Sequence, residues 1–386
     1  GFWENIAITT MAYDPSNTYV FYVGTGEGWN NSDAVRGAGI WKTTDGGASW
    51  TRFFIDSPHF YYIQKIIVHP SNGEVFAATD GPGAYGGIFK SEDGGYNWNS
   101  SLQIDNTSNR ATDLELDTDG NIYAAMSTDG IYKSTDIGAN WDKVNTGSNG
   151  FPTDDFNRLE IATAPSNANV VYAVGSGGSG DDDIGVFVKS NDGGSNWTSV
   201  TIPLNWDNVH FTRGQAWYDL ILAVAPDNEN ILYAGGIDLH KSTDSGTTWT
   251  MLSAWHTYYA NEYDLEFVHA DQHSFASRPG YPNTVVFGND GGLYMTTNAG
   301  ANFTAKNSGY NVTQFYSCAL HPDAGEYYFL AGSQDNGTQQ FSDADSIVST
   351  YEVTGGDGAY CFIDQTDPNY QITSYVSNNY YLSTDD

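Results

Sequence analysis

The chain is poor in basic residues, in cysteine and in long apolar runs. Fourteen Lys and Arg stand against 47 Asp and Glu, a formal charge of −33 over 386 residues. So acidic a surface repels phosphate backbones, which argues against nucleic acid as a partner. No apolar stretch approaches the roughly 18 residues that a spanning helix needs, so no membrane span is expected. No leader peptide is legible; a mature chain would lack one. Of the two cysteines, Cys318 and Cys361, a bridge would demand Cα atoms within about 7 Å. They fall at matching places in consecutive repeats, and two buried free thiols are the expectation. No paired base accompanies either, so neither reads as a nucleophile. Helical periodicity is absent as well. Most of the acids read as a solubility device, with capture of calcium by loop carboxylates as the sharper alternative.

What the chain does have is a pattern, Ser/Thr-x-Asp-x-Gly-x-x-Trp. It runs from Thr43 to Trp50, Ser91 to Trp98, Ser134 to Trp141, Ser190 to Trp197 and Ser242 to Trp249. A worn copy runs from Thr296 to Phe303, and another begins at Ser383-Thr384-Asp385. The repeated acids are Asp45, Asp93, Asp136, Asp192 and Asp244, spaced by 48, 43, 56 and 52 residues. The step from Asn298 to Asp385 is 87 residues, about two repeats, so one repeat lacks its box. A period of about 40–50 residues marks propeller blades. In each box the acid is expected to close a turn on backbone amides a residue or two ahead. Gly allows the positive φ of such a turn, and Trp anchors it to the sheet.

Around each box lie short β-rich runs divided by Gly, Asn, Asp and Pro. In the fourth repeat, Leu159–Ala162, Val170–Val174, Gly185–Lys189 and Trp197–Val200 read as four strands. The expectation is an all-β fold: a β-propeller of four-stranded antiparallel blades, seven full and part of an eighth. Residues 1–386 are read as one propeller domain. Residues 1–5 read as the end of a preceding blade or a closing strand. Because the last box is cut short, the domain is expected to belong to a longer secreted protein or to be closed by another segment. The segment 175–185, with Asp181, Asp182 and Asp183, fits a blade loop.

The boxes link third to fourth strands and should share one face. Unusual residues collect in the links of the opposite face. His269, Asp271 and His273 precede the sixth inner strand; if extended, alternation aligns them on one side at about 6.6 Å steps, as metal ligands for zinc or calcium. Asp290, Asp335 and Asp357 sit in glycine-flanked loops of the last repeats, and Glu27 in a long loop of the first. Any one Asp-Gly pair reads as an ordinary hairpin turn; several on one face read as a site of acids. Trp29, Trp206, Arg213, Trp217, Trp255 and Tyr258 lie in long loops, as platforms for sugar or peptide or as small cores for the inserts themselves. Arg110, Arg158 and Arg213 could form an anion row, although pairing with nearby carboxylates is the plainer reading.

The boxes resemble the Asp-box, or bacterial neuraminidase, repeats of sialidases, xyloglucanase-type glycoside hydrolases and sortilin-type receptors. The ordered set His269-x-Asp271-x-His273, Asn289-Asp290-Gly291-Gly292, Gln334-Asp335-Asn336-Gly337 and Gly355-Gly356-Asp357-Gly358 resembles secreted bacterial sortilin-like proteins labelled as glycosyl hydrolases. A sialidase resemblance would call for an Arg-Ile-Pro segment, which is absent. A xyloglucanase resemblance implies two carboxylates across a cleft, drawn here from Asp290, Asp335, Asp357 and Glu27. A sortilin resemblance implies peptide binding in a tunnel, without the Cys-rich module that follows it in that family. The first expectation is therefore a secreted or cell-surface propeller that binds glycan or peptide without chemistry. The alternatives are a glycoside hydrolase and a structural array in an extracellular assembly.

Overall fold

The computed structural model describes residues 7–29, 34–53, 57–104, 109–153, 156–177, 183–309, 313–342 and 350–385. The expected strand at 1–5, and Asp181 and Asp182, lie outside them. Among the described residues, seven sheets have four antiparallel strands in chain order and one has three, which makes the chain a β-propeller of seven blades and part of an eighth. The fourth blade shows how sequence becomes blade. Phe156–Ala164, Asn167–Gly177, Ile184–Ser190 and Thr198–Ser199 pair in succession. The β-branched and aromatic runs form the buried middle strands, and Pro165-Ser166 turns the chain between the first two.

The chain divides into two compact units. One holds 1–287 and 295–304, the other 288–294 and 305–386. In the first, apolar cores fill the spaces between successive blades. Val20, Tyr22, Ile63 and Ile66 join blades 1 and 2. Tyr123, Leu159, Val171 and Trp197 join blades 3 and 4, and Tyr172, Phe187, Leu222 and Leu232 join blades 4 and 5. The innermost strands of neighbouring blades are stitched by side chains. Thr112 Oγ1 donates to Leu159 O at 2.8 Å, Thr163 Oγ1 to Leu116 O at 2.7 Å, and Ile161 N to Asp113 Oδ2 at 2.8 Å. In the second unit, Ser317 Oγ donates to Ala359 O at 2.8 Å in the same manner. There Leu330, Cys361 and Ile363 form the core. Both cysteines are free, but only Cys361 is buried; Cys318 is exposed, on the side of its strand shared with Tyr316 and Leu320. The expectation of two buried thiols fails because alternation turns Cys318 away from the Ser317 and Ala319 side.

The eight-residue turns are closed twice, over a longer reach than expected. The leading Ser or Thr hydroxyl accepts the amide four residues on, as in Ser91 with Gly95 and Ser190 with Gly194, each 2.8 Å. The acid likewise accepts the amide four residues on, not one or two: Asp93 from Asn97 and Asp192 from Asn196, both 2.8 Å. Gly194, at φ +94°, supplies the left-handed bend. Trp197 Nε1 then donates to Gly194 O at 3.0 Å, and the ring packs edge-on to Phe151. Hydrogen bonds from Ser49, first through its side chain, hold the Asp45 carboxyl down at about 2; the Asn97 amide does the same for Asp93.

Sequence reading missed a fifth role in the pattern. The residue before each leading Ser or Thr is Lys42, Lys90, Lys133, Lys189 or Lys241. Each ammonium reaches the next blade's turn. Lys42 bonds Gly94 O at 2.7 Å, Lys90 Ile137 O at 3.2 Å, Lys133 Gly193 O at 3.1 Å, Lys189 Ser245 Oγ at 3.0 Å and Lys241 Ala299 O at 3.0 Å. Each also lies over an aromatic ring of its own blade, such as Tyr22 at 5.1 Å or Tyr233 at 5.5 Å. The worn copy has Met295 at this place.

Candidate functional site

In the second unit the three glycine-flanked acids converge. Asp290 lies between the strands Tyr281–Asn289 and Gly292–Thr296, and Asp335 between Phe329–Ser333 and Thr338–Phe341. Asp357 follows Tyr351–Thr354. Asp335 adopts φ +60°, a left-handed bend between two strands. Its amide donates to Asp357 Oδ1 at 3.0 Å, and Asn336 Nδ2 donates to Asp290 O at 3.1 Å. Gly337 N bonds Gly356 O at 2.7 Å, so the loops of consecutive sheets are tied to each other. Carboxylate oxygens of Asp290 and Asp335 come within 4.8 Å of one another. All three acids are half-buried. Asp357 braces the Asp335 loop, while Asp290 and Asp335 form a close carboxylate pair. Such a pair can share a proton, hold a hard divalent cation, or divide acid and base roles.

The first unit holds the remaining candidates. The alignment expected of His269, Asp271 and His273 is not realised. The strand begins only at Gln272, and Asp271 takes φ +64°, which breaks the alternation. His269 Nδ1 lies 3.3 Å from Ala270 O, and the His273 ring packs edge-on to Tyr218 at 4.8 Å.

The aromatic inserts form their own small core with an exposed rim. Trp206 stacks on Tyr259 and Tyr263, 4.8 and 5.4 Å away, both on the short helix Thr257–Tyr263. Arg213 covers Trp206 at 4.9 Å and pairs with Asp207 at 2.8 Å. His256 caps the helix by accepting the Tyr258 amide. Trp255 and Tyr258 remain 37% and 62% exposed, whereas Trp206 and Trp217 are half-buried. Trp29 is half-buried with Arg158 stacked 3.7 Å from its ring, and Glu27 binds Val35 O through its amide. The arginines do not form an anion row. Arg110 pairs with Asp80, Arg158 with Glu160 and Arg213 with Asp207, at 2.6, 2.7 and 2.8 Å.

Two features escaped the sequence reading. The first is an ion network on the innermost strands of blades 2 to 4. Lys65 bonds Glu115 at 2.8 Å and Asp113 at 3.3 Å, beside the Arg158–Glu160 pair. Burial, opposed by Arg158, pushes Glu160 up to about 7. Burial also acts on Lys65, but Asp113 and Glu115 outweigh it and hold the ammonium above its ordinary value. Solvent reaches 34% of Lys65 and only 15% of Glu160. Charged residues at alternate positions of these strands were the available signal. The second feature is Asp238, which holds in blade 5 the loop position of Asp290 and Asp335. Its motif, Gly236-Ile237-Asp238-Leu239, lacks the following glycine that drew attention to the others.

No family model matches the chain. It is 27% identical over 260 residues, 66% of its length, to a xyloglucanase of Hypocrea jecorina (strain QM6a). It is 30% identical over 213 residues, 48% of its length, to a xyloglucanase of Paenibacillus sp. The chain spans only 26% and 20% of the lengths of these relatives. Among solved structures, the GH74 xyloglucanase of Xanthomonas campestris superposes with a TM-score of 0.70 at 16% identity, covering 98% of this chain and 59% of that one. At that identity the likeness bears on fold alone. Among the described residues no helix is long and apolar enough to cross a membrane.

Proposed function

We propose that the chain is a polysaccharide-handling propeller of a glycoside hydrolase directed at a xyloglucan-like β-glucan outside the cell, with Asp290 and Asp335 as its candidate acids. The observation that carries this reading is the sequence similarity to two xyloglucanases; the close carboxylate pair supplies the chemistry. Glycoside hydrolysis needs one carboxyl to protonate the departing oxygen and another to attack or to activate water. Asp357 holds the Asp335 loop and Asn336 the Asp290 loop, so both acids are positioned by backbone. The chain's strong negative charge favours a neutral polymer over an acidic one. A second reading, glycan or peptide binding without hydrolysis, is favoured by the exposed Trp255 and Tyr258 rings on their pre-stacked support.

One experiment addresses both. The purified protein is incubated with xyloglucan, unsubstituted β-glucan and mannan, with reducing-end release and gel retardation read in parallel. Release from xyloglucan, reduced about 100-fold or more in Asp290→Asn and Asp335→Asn, is the expected result. Retardation without release would move the assignment to the binding reading. Neither signal on any polymer would end the hydrolysis reading and the glycan-binding reading.

A further inference from the structure

Beneath the aromatic insert lies an acid that the proposed hydrolysis does not use. Asp238 is wholly buried, at 0% exposure. Its Oδ1 accepts the Trp255 amide at 2.8 Å, while Oδ2 has no hydrogen-bond partner among the described residues. The groups that face it are few. Arg213 favours its ionised form, and Asp207 and Asp271 oppose it. His240, two residues on, is itself buried, which drives its ring down to about 4 and keeps it neutral. Arg213 is committed elsewhere, through Nη1 to Asp207 and by its face to Trp206. Yet its Nε and Nη2 are buried and have no hydrogen-bond partner among the described residues. An orphan acceptor thus lies in the field of two orphan donors.

A buried carboxylate with one oxygen unbonded is costly, and a neutral carboxyl in the same place is far less so. Burial accordingly pushes Asp238 up to about 7. Ionisation would make Arg213, the one cation among the described residues that acts on Asp238, the natural partner of Oδ2. Moving there takes the guanidinium off Trp206, the ring on which Tyr259 and Tyr263 rest. We propose that Asp238 is a positioning residue for the Trp255–Tyr258 platform: protonated, it leaves Arg213 on Trp206 and the helix Thr257–Tyr263 in place; ionised, it draws Arg213 away and loosens the platform. The ligand in question, a neutral glycan chain, rests on the reading given under Proposed function.

The test separates the two. With 15N-tryptophan labelling, the Trp206 indole and Trp255 amide signals, assigned by Trp206→Phe and Trp255→Phe, are followed without ligand from pH 5.5 to 8.5. Both should move with a common midpoint within about one unit of 7, and both should stay still in Asp238→Asn, which keeps the shape but cannot ionise. A xyloglucan oligosaccharide should bind the parent protein about five- to tenfold more weakly at pH 8.5 than at 5.5, the loss of one well-placed aromatic contact. Asp238→Asn should bind with one affinity throughout. Asp238→Ala, checked for folding by thermal melt, should displace the Trp255 amide signal at every pH, because that amide loses its acceptor, and neither signal should titrate. Signals that do not titrate, or that titrate unchanged in Asp238→Asn, overturn the proposal. Titrating signals without glycan binding at any pH would sustain the switch and refute the glycan reading instead.

Discussion

The inter-blade lysines make a quantitative prediction, sharpest at Gly193. Its buried carbonyl receives two donors from the preceding blade, the Tyr123 hydroxyl at 3.2 Å and the Lys133 ammonium at 3.1 Å. Tyr123 is 0% exposed, so Tyr123→Phe removes a hydroxyl and little else. A neutral hydrogen bond contributes about 0.5–1.5 kcal/mol and one from a charged donor about 1.5–3. Because Lys133 is half exposed and Met recovers part of its stem packing, Lys133→Met should cost about 1–1.5 kcal/mol, and Tyr123→Phe about 0.5–1. In either single variant the other donor still serves the carbonyl. In the double variant none remains, and a buried acceptor left alone costs about 1–3 kcal/mol. The double should therefore exceed the sum of the singles by about 1 kcal/mol or more. Urea unfolding, with midpoint and slope both compared, measures the cycle. Amide exchange in the turn from Ser190 to Trp197 localises it. Additivity to within about 0.5 kcal/mol would show that the two donors do not share the acceptor, and would refute the latch.

Two further outcomes follow from the fold. Glu160 is pushed up to about 7 from an ordinary 4.5, so the folded chain binds the extra proton between those values. Stability should fall as pH rises through that window, by about 3.5 kcal/mol at most, and melts of Glu160→Gln should lose that slope; an unchanged slope would place the titration elsewhere. Gly130→Ala sets a methyl 1.9 Å from Asn145 Oδ1 at a φ of +138°. Asn145 holds Ile131, Asp129 and Pro152. The melting temperature should drop by an amount equivalent to about 2 kcal/mol or more, and a shift of a degree or less would show that the loop has room.

The architecture was legible because a blade is local. Five of the repeats carry their own strands, their own turn and their own Trp, and a period of about 50 residues is hard to disguise. What was lost lay in single dihedrals and in contacts between repeats. His269, Asp271 and His273 looked like one edge of a strand, yet a single left-handed residue at Asp271 undoes the alignment. Asp290, Asp335 and Asp357 were found through their flanking glycines; Asp238, in the same loop position with no glycine after it, was passed over. The lysine before each turn was visible five times, but its target lies about 50 residues downstream in the next blade. The Lys65–Asp113–Glu115 network shows the same limit, since the partner of an inner strand belongs to another repeat.

The chain contains only eight lysines. Five are spent as rivets between blades, and Lys65 and Lys143 sit in ion pairs. Lys306 is exposed. Among the lysines, Lys306 is therefore the one that an amine-directed reagent should reach first. Gentle acylation should mark Lys306, whereas exhaustive acylation should unfasten the blades, so coupling to a support or a dye is better directed at the exposed thiol of Cys318.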